Sequence, residues 1–250
     1  MKDTSVISMD DGLKKLVAEF SRLALRAGEI ILDIRARGTK VVEKADHSPV
    51  TEADRKAEAL ILSGLATACP DIPVVAEEAA SAGCLPQTLG ERFILVDPLD
   101  GTREFIAGRP DFTVNIALIE KGAPVAGVVY APIRGTLWAA CRDHAWMADA
   151  EGDHRPGPPR DLGCRGWQTP PCIVASKSHR TPETEAFIAR FEGATTSAIG
   201  SSLKFCLLAA LDFFDSNRLL KVLQRVVESA CCFSGCILNQ LSMSSIHINR

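Results

Sequence analysis

The chain has 250 residues, of which 46% are hydrophobic, 24% charged and 6% aromatic, a balance that suits one large or two modest packed domains and excludes collagen-like, coiled-coil and disordered chains. Its 28 basic and 31 acidic residues leave a formal charge of −3. No global positive field therefore draws it to a nucleic-acid polymer, and a small-molecule partner is expected. No apolar run approaches the roughly 20 residues of a membrane-spanning helix. Asp3, Asp10 and Asp11 interrupt the N-terminal segment where a secretory signal needs an apolar core. The expected location is the cytoplasm, with peripheral contact at the cytoplasmic face of the membrane left open. Nine cysteines at irregular spacing, without a C-x-x-C pair, read as reduced thiols.

In chain order, apolar residues recur at three-and-four spacing from Leu13 to Ile34, which predicts a long core helix over Asp10–Arg37. Thr51 caps a second helix over Ala53–Ala68, closed by Pro70, with Asp54 in its first turn. IPVVAEEA reads as a strand entering the acidic pair Glu77-Glu78, and FILV as a strand entering DPLDGT. From Thr113 to Met147, β-rich runs alternate with Lys121-Gly122, Pro132 and Arg134-Gly135, the pattern of an antiparallel meander. The stretch Ala150–Pro171 is rich in Pro, Gly and charge and predicts a linker or long surface loop. CIVAS then reads as a strand, PETEAFIARF as a short helix, and SAIGSSLKFCLLAAL as a strand, a Gly-Ser-Ser turn and a helix. Helices followed by consecutive strands give an α+β class. The expected division is a metal-binding part over residues 1–150, a connection over 151–171, and a shortened α/β part over 172–250.

The sharpest chemical signal is Asp97-Pro98-Leu99-Asp100-Gly101-Thr102. Two carboxylates three residues apart, with Pro and Gly fixing the backbone, can turn side-chain and carbonyl oxygens toward one point, the all-oxygen environment that Mg²⁺ prefers. Taken alone, such a turn is more often an acidic cap. Glu77-Glu78 after another strand and Asp54 beside Thr51 add two more acidic groups, and three together need a cation or solvent. A covalent aspartyl phosphatase of the D-x-D-G-T type is excluded, because Pro98 stands two residues before Asp100, so an activated water is the better nucleophile. No G-x-S-x-G occurs, and His47, His144, His154, His179 and His247 lie in polar surroundings without nucleophile spacing.

In order and spacing, SPVTEAD, VAEEA, LVDPLDGTREFI and IGSSLKFCLLAA resemble the inositol monophosphatase superfamily, and within it the CysQ-type 3'(2'),5'-bisphosphate nucleotidases, over roughly the first 210 residues. The resemblance implies a layered α/β/α/β/α sandwich, the sugar-phosphatase fold, here with an incomplete C-terminal part. It implies Mg²⁺ held by Glu77, Asp97, the Leu99 carbonyl and Asp100, and a catalytic water oriented or deprotonated by Asp54 and Thr102, with Glu77 also counted among the catalytic residues. Gly101 and Thr102 are implied to hold the phosphate, and Gly200, Ser201 and Lys204 to line the nucleotide side. A solvated helix lysine is nearly as good a reading of Lys204. The implied substrate is a small phosphorylated nucleotide, and lithium is implied to inhibit. An inositol phosphate substrate is the rival within the superfamily. The sequence says nothing about oligomeric state.

After Ala210 the resemblance stops. The family's W-D-x-A-A-G-like helix start, with a further metal aspartate, has no counterpart: no tryptophan follows Trp167, and Asp212 and Asp215 are the remaining aspartates. Leu219, Val222, Leu223, Val226 and Ala230 could form one face of an amphipathic helix. A change of reading frame past residue 210 would account for the cluster Cys231, Cys232 and Cys236 together with the lost motif. A chain impaired in catalysis is therefore an alternative expectation.

Overall fold

In the computed structural model, residues 4–38, 41–43, 49–142, 144–162, 170–176 and 181–210 are described. The elements are α1 (Thr4–Arg37), β1 (Val41–Glu43), β2 (Pro49–Thr51), α2 (Glu52–Ala68), β3 (Val74–Ala76), α3 (Glu77–Ser81), β4 (Arg92–Asp100), α4 (Thr102–Ile106), β5 (Thr113–Glu120), β6 (Ala123–Ala131), β7 (Thr136–Cys141) and β8 (His144–Glu151). The short β9 (Arg155–Pro156) and β10 (Arg160–Asp161) follow, then β11 (Cys172–Ser176), α5 (Pro182–Ile188), β12 (Thr195–Ile199) and α6 (Leu203–Ala210).

Among the described residues, the main sheet has eight strands in the order β10-β8-β7-β6-β5-β4-β3, with β9 paired to β8. The expected meander is present as β5 to β8, each antiparallel to its neighbour. Only β3 and β4 run parallel in it, Ala76 opposite Val96. The sheet is buried on both faces, and the period-2 rule sorts its side chains. Val114, Ile116 and Leu118 of β5 point into a core shared with α1 and α2, with Phe20, Leu23, Ile31 and Ile61. Ala117 and Ile119 point the other way, into a cluster with Val75, Phe93 and Leu95. A third cluster joins Val129, Ala131 and Trp138 of the sheet to Ile199, Leu203 and Cys206, so α6 packs directly on the meander.

Two expectations need correction. The first helix begins at Thr4 rather than Asp10, so Asp10 and Asp11 lie within it and do not start it. The turn-rich stretch after Ala150 is not all connection: Glu151 and Ala150 pair with β9, and Arg160 and Asp161 pair with Met147 and Trp146. Turn residues masked these two-residue strands, which add to an existing edge. The amphipathic reading of residues 219–230 lies outside the described residues. No helix among the described residues is long and apolar enough to cross a membrane. Cys69, Cys84, Cys141, Cys172 and Cys206 stand outside any disulfide.

Candidate active site

The site is built where β3 and β4 end side by side. Parallel pairing of Ala76 with Val96 puts the next residues, Glu77 and Asp97, next to each other. Strand β4 shifts register against β5 between Asp97 and Asp100, and this irregularity lets Asp97 stay 8% exposed while the chain turns at Gly101. Asp97 Oδ1 accepts the Leu99 N–H at 3.1 Å, so the turn is held by its own first carboxylate. Gly101 has φ of 92°, a left-handed conformation that glycine adopts without steric cost. A Cβ there would also lie 2.9 Å from the Asp111 carbonyl oxygen and 3.1 Å from Ser201 Cβ.

Asp54 reaches the same place from α2. It completes a capping box: Thr51 N–H and Thr51 Oγ1 both donate to Asp54 Oδ2, at 2.8 and 2.6 Å, while Thr51 Oγ1 accepts from the Ala53 N–H. Its other oxygen, Oδ1, lies 3.3 Å from Thr102 Oγ1, and that hydroxyl lies 3.1 Å from the Leu99 carbonyl.

The Gly200-Ser201-Ser202 turn closes the site from about a hundred residues downstream. Ser202 N–H donates to Asp100 Oδ2 at 2.5 Å, and Ser202 Oγ lies 2.7 Å from Thr113 Oγ1 and 3.1 Å from Asn115 Oδ1. Ser201 sits at φ of 52°, a strained conformation for a residue with a Cβ, and its Oγ accepts from the Leu203 N–H at the start of α6. Lys204 donates to the Ser201 carbonyl at 2.5 Å.

Electrostatics set this corner apart. Burial, followed by the charges of Glu77 and Asp100, a hydrogen bond to Glu77 and the charge of Asp54, holds the Asp97 carboxyl well above the usual carboxylate range. Asp100 is raised too, chiefly by burial, against the opposing pull of the Ser202 N–H and the Lys204 ammonium. Burial raises Asp54 against its hydrogen bonds from Thr51, with the Glu77 charge adding to the rise. Lys204 is lowered by burial, with Asp100 and Glu104 pulling the other way. These shifts share one leading cause, the removal of charged groups from water.

The structure therefore brings Glu77, Asp97, Asp100, Leu99, Asp54, Gly101 and Thr102 together, and docks Gly200, Ser201 and Lys204 against them. As they stand, no three His, Cys, Asp or Glu side chains among the described residues are gathered as a ready-made metal cage. His144, 3.4 Å from Asp161, and His154, 2.8 Å from Glu29 of α1, pair with acids that are not part of this site. His47 and His179 lie outside the described residues, as does His247.

Five contributors escaped the sequence reading. Glu58, 6% exposed, accepts the Glu78 and Ala79 N–H groups at 2.8 and 2.9 Å and so caps α3 in place of the side-chain cap that Ala76 cannot supply. Its spacing of four from Asp54, on the same helical face, was the available signal. Glu104, 5% exposed, packs under Gly200, where a Cβ would fall 2.6 Å from Glu104 Cγ. Asn115 and Thr113 share one face of β5. Arg35 pins the loop after α4, donating to the Gly108 and Arg109 carbonyls at 2.6 and 3.0 Å.

Residues 13–213 match the model of the inositol monophosphatase family. The chain belongs to that family. Among curated proteins it is 42% identical to the 3'(2'),5'-bisphosphate nucleotidase CysQ of Escherichia coli (strain K12) over 197 residues, 78% of this chain and 76% of that one. It is likewise 42% identical to the CysQ of Salmonella typhimurium (strain LT2), with the same coverage. Among solved structures it resembles CysQ from Bacteroides thetaiotaomicron, a bacterial member of the inositol monophosphatase family, with a TM-score of 0.62 and 35% identity over 78% of this chain and 76% of that one. The α+β fold expected from the sequence is thus the fold of inositol monophosphatase family structures, and the family assignment makes the chain a phosphatase by class. The family match ends at residue 213, close to where the sequence departs from the family pattern.

Proposed function

We propose that this inositol monophosphatase family member is a Mg²⁺-dependent 3'(2'),5'-bisphosphate nucleotidase that hydrolyses 3'-phosphoadenosine 5'-phosphate to AMP and phosphate, a reaction of sulfur assimilation and nucleotide recycling. The observation that carries the reading is the crowding of Glu77, Asp97 and Asp100 at the ends of β3 and β4. Asp97 and Asp100, buried or half-buried beside Glu77 and both raised in proton affinity, suit a divalent charge better than they suit their acidic neighbours. Glu77, Asp97, the Leu99 carbonyl and Asp100 form an all-oxygen donor set that fits Mg²⁺. When bound, the ion supplies acidification of water and stabilisation of the charge that builds on phosphoryl and leaving oxygens.

The chain's own residues then divide the work. The Thr102 hydroxyl proton is engaged by Asp54 Oδ1 or the Leu99 carbonyl, which leaves its lone pairs to accept a hydrogen bond from the attacking water. Asp54, held above the usual carboxylate range by burial, takes the proton that this water sheds. Gly101 and Thr102 hold the phosphate at the start of α4. Gly200 and Ser201 border the nucleotide, and Lys204 adds a positive charge whose present neighbours are Asp100 and Glu104. One water is consumed, the phosphorus–oxygen ester bond breaks, and the 3'-oxygen leaves as a hydroxyl.

Initial rates on 3'-phosphoadenosine 5'-phosphate and inositol 1-phosphate with Mg²⁺ test the reading. A higher kcat/KM for the nucleotide is expected, and preference for the inositol ester would overturn the substrate assignment. A specific observation favours one second reading: past Ala210 the sequence offers only Asp212 and Asp215 and no Trp-Asp pair. A folded chain that binds Mg²⁺ but turns over neither ester would establish that impaired reading.

A further inference from the structure

A groove of about 480 Å³ runs between α1 and α2, bordered by Glu19, Arg22 and Arg26 on one helix and Ser63, Gly64 and Thr67 on the other. It is separate from the acidic site. Ser63 and Thr67 lie nine and thirteen residues along α2 from Asp54, about 14–20 Å at a helical rise of 1.5 Å per residue. Gly64 forms the floor: a Cβ there would fall 2.2 Å from Leu23 Cδ2, so the helices approach closely because this side chain is missing.

The charges along the rim are not balanced. Arg22 and Arg26 stand one turn apart on the same face, a like-charge pair that destabilises an isolated helix. Arg22 is matched by Glu19, which accepts from its Nε at 2.9 Å and from Nη2. Arg26 is half-buried and has no hydrogen bond or ion pair among the described residues. Opposite it, the Thr67 hydroxyl donates to the Ser63 carbonyl, whereas the exposed Ser63 hydroxyl is available to donate. The rim thus presents one uncompensated guanidinium, the outer edge of a second and a hydroxyl donor. A tetrahedral oxyanion matches that set, because a guanidinium fork binds two of its oxygens at once.

We propose that this groove binds phosphate, free or as the end group of a phosphate monoester, with Arg26 as the main contact and Arg22 and Ser63 beside it. The proposal does not depend on the reaction at the acidic site, and its test silences that site. The full chain is melted in the presence of a chelator while inorganic phosphate replaces chloride at constant ionic strength. At tenfold over Kd, phosphate should raise Tm by roughly 3–6 °C. Arg26→Gln should weaken the response by about tenfold or more in Kd, and Arg26→Lys, which keeps the charge but not the fork, should retain part of it. Circular dichroism of each variant establishes that it is folded. AMP in place of phosphate separates the two sources: an equal response assigns the monoester, and a response to phosphate alone assigns the free ion. No rise beyond the chloride control, or the same rise in Arg26→Gln as in the parent, would overturn the proposal.

Discussion

Along β4, Phe93–Val96 and Asp97–Asp100 belong to one strand and are buried to a similar degree, yet they spend that burial on opposite ends. Ile94 and Val96 lie in the core beneath α1 and α2, where removing apolar surface from water stabilises the fold. At the next residue, Asp97 is 8% exposed, and burial works against its charge. The difference teaches where stability has been given up. A carboxylate kept out of water next to Glu77 and Asp100 weakens the metal-free chain, and the natural compensation is a cation at the same place.

Substitutions in the two halves should therefore separate stability from activity. Asp97→Asn keeps the shape and the acceptor for the Leu99 N–H, and should lower Mg²⁺-dependent phosphatase turnover by about 10³-fold or more while the chain stays folded. Ile94→Ala should cost about 2–5 kcal/mol in denaturant unfolding and leave turnover per folded molecule near the parental value. Equal losses of activity in both would erase the distinction. Asp54→Asn comes next. Loss of the proposed proton acceptor should reduce kcat by about 10²–10⁴-fold with little change in Mg²⁺ affinity, which would set Asp54 apart from the proposed metal ligands.

Acid-dependent stability sharpens the same contrast. In the unfolded chain Asp97 titrates near about 3.9, and in the fold its proton affinity is raised. Its stabilising contribution is therefore complete below that unfolded value and is lost as pH rises through the folded one. The metal-free chain should melt at a lower temperature at pH 7 than this group would allow near pH 4. Asp97→Asn should remove that dependence and stabilise the metal-free form at pH 7. Melting curves across pH with a chelator present check the sign. A parental chain whose Asp97-dependent stability grew toward neutral pH would contradict the burial argument.

The smallest effect is expected at the capping box. Thr51→Ala should cost about 1 kcal/mol, because it removes the acceptor for the Ala53 N–H and one donor to Asp54. It should also lower kcat several-fold, since Asp54 would be less firmly aimed at Thr102.

Much of this was legible before any coordinates. The helix over residues 53–68, the meander and the acidic turn announce themselves through local pattern: apolar period, turn residues, and Pro and Gly flanking carboxylates. Membership of the family was legible too, because DPLDGTREFI and GSSLKFC are local motifs. What the sequence could not show depends on distant pairing. Glu58 as the cap of α3, Glu104 beneath Gly200, and the Ser202 bridge to Asp100 and Thr113 are set by how elements 20 to about 100 residues apart meet, and no window of sequence contains both partners. The strands β9 and β10 were hidden for a different reason. Two-residue pairings take their stability from the edge they join, not from their own side chains.

The central claim is that the buried carboxylates at the end of β4 exist to hold a divalent cation. Titration calorimetry of Mg²⁺ into the metal-free parental chain and into Asp97→Asn tests it most directly. Saturable binding to the parent, lost or weakened by at least about tenfold in Asp97→Asn, is the expected result. Equal binding by the two chains, or none by a folded parent, would contradict it.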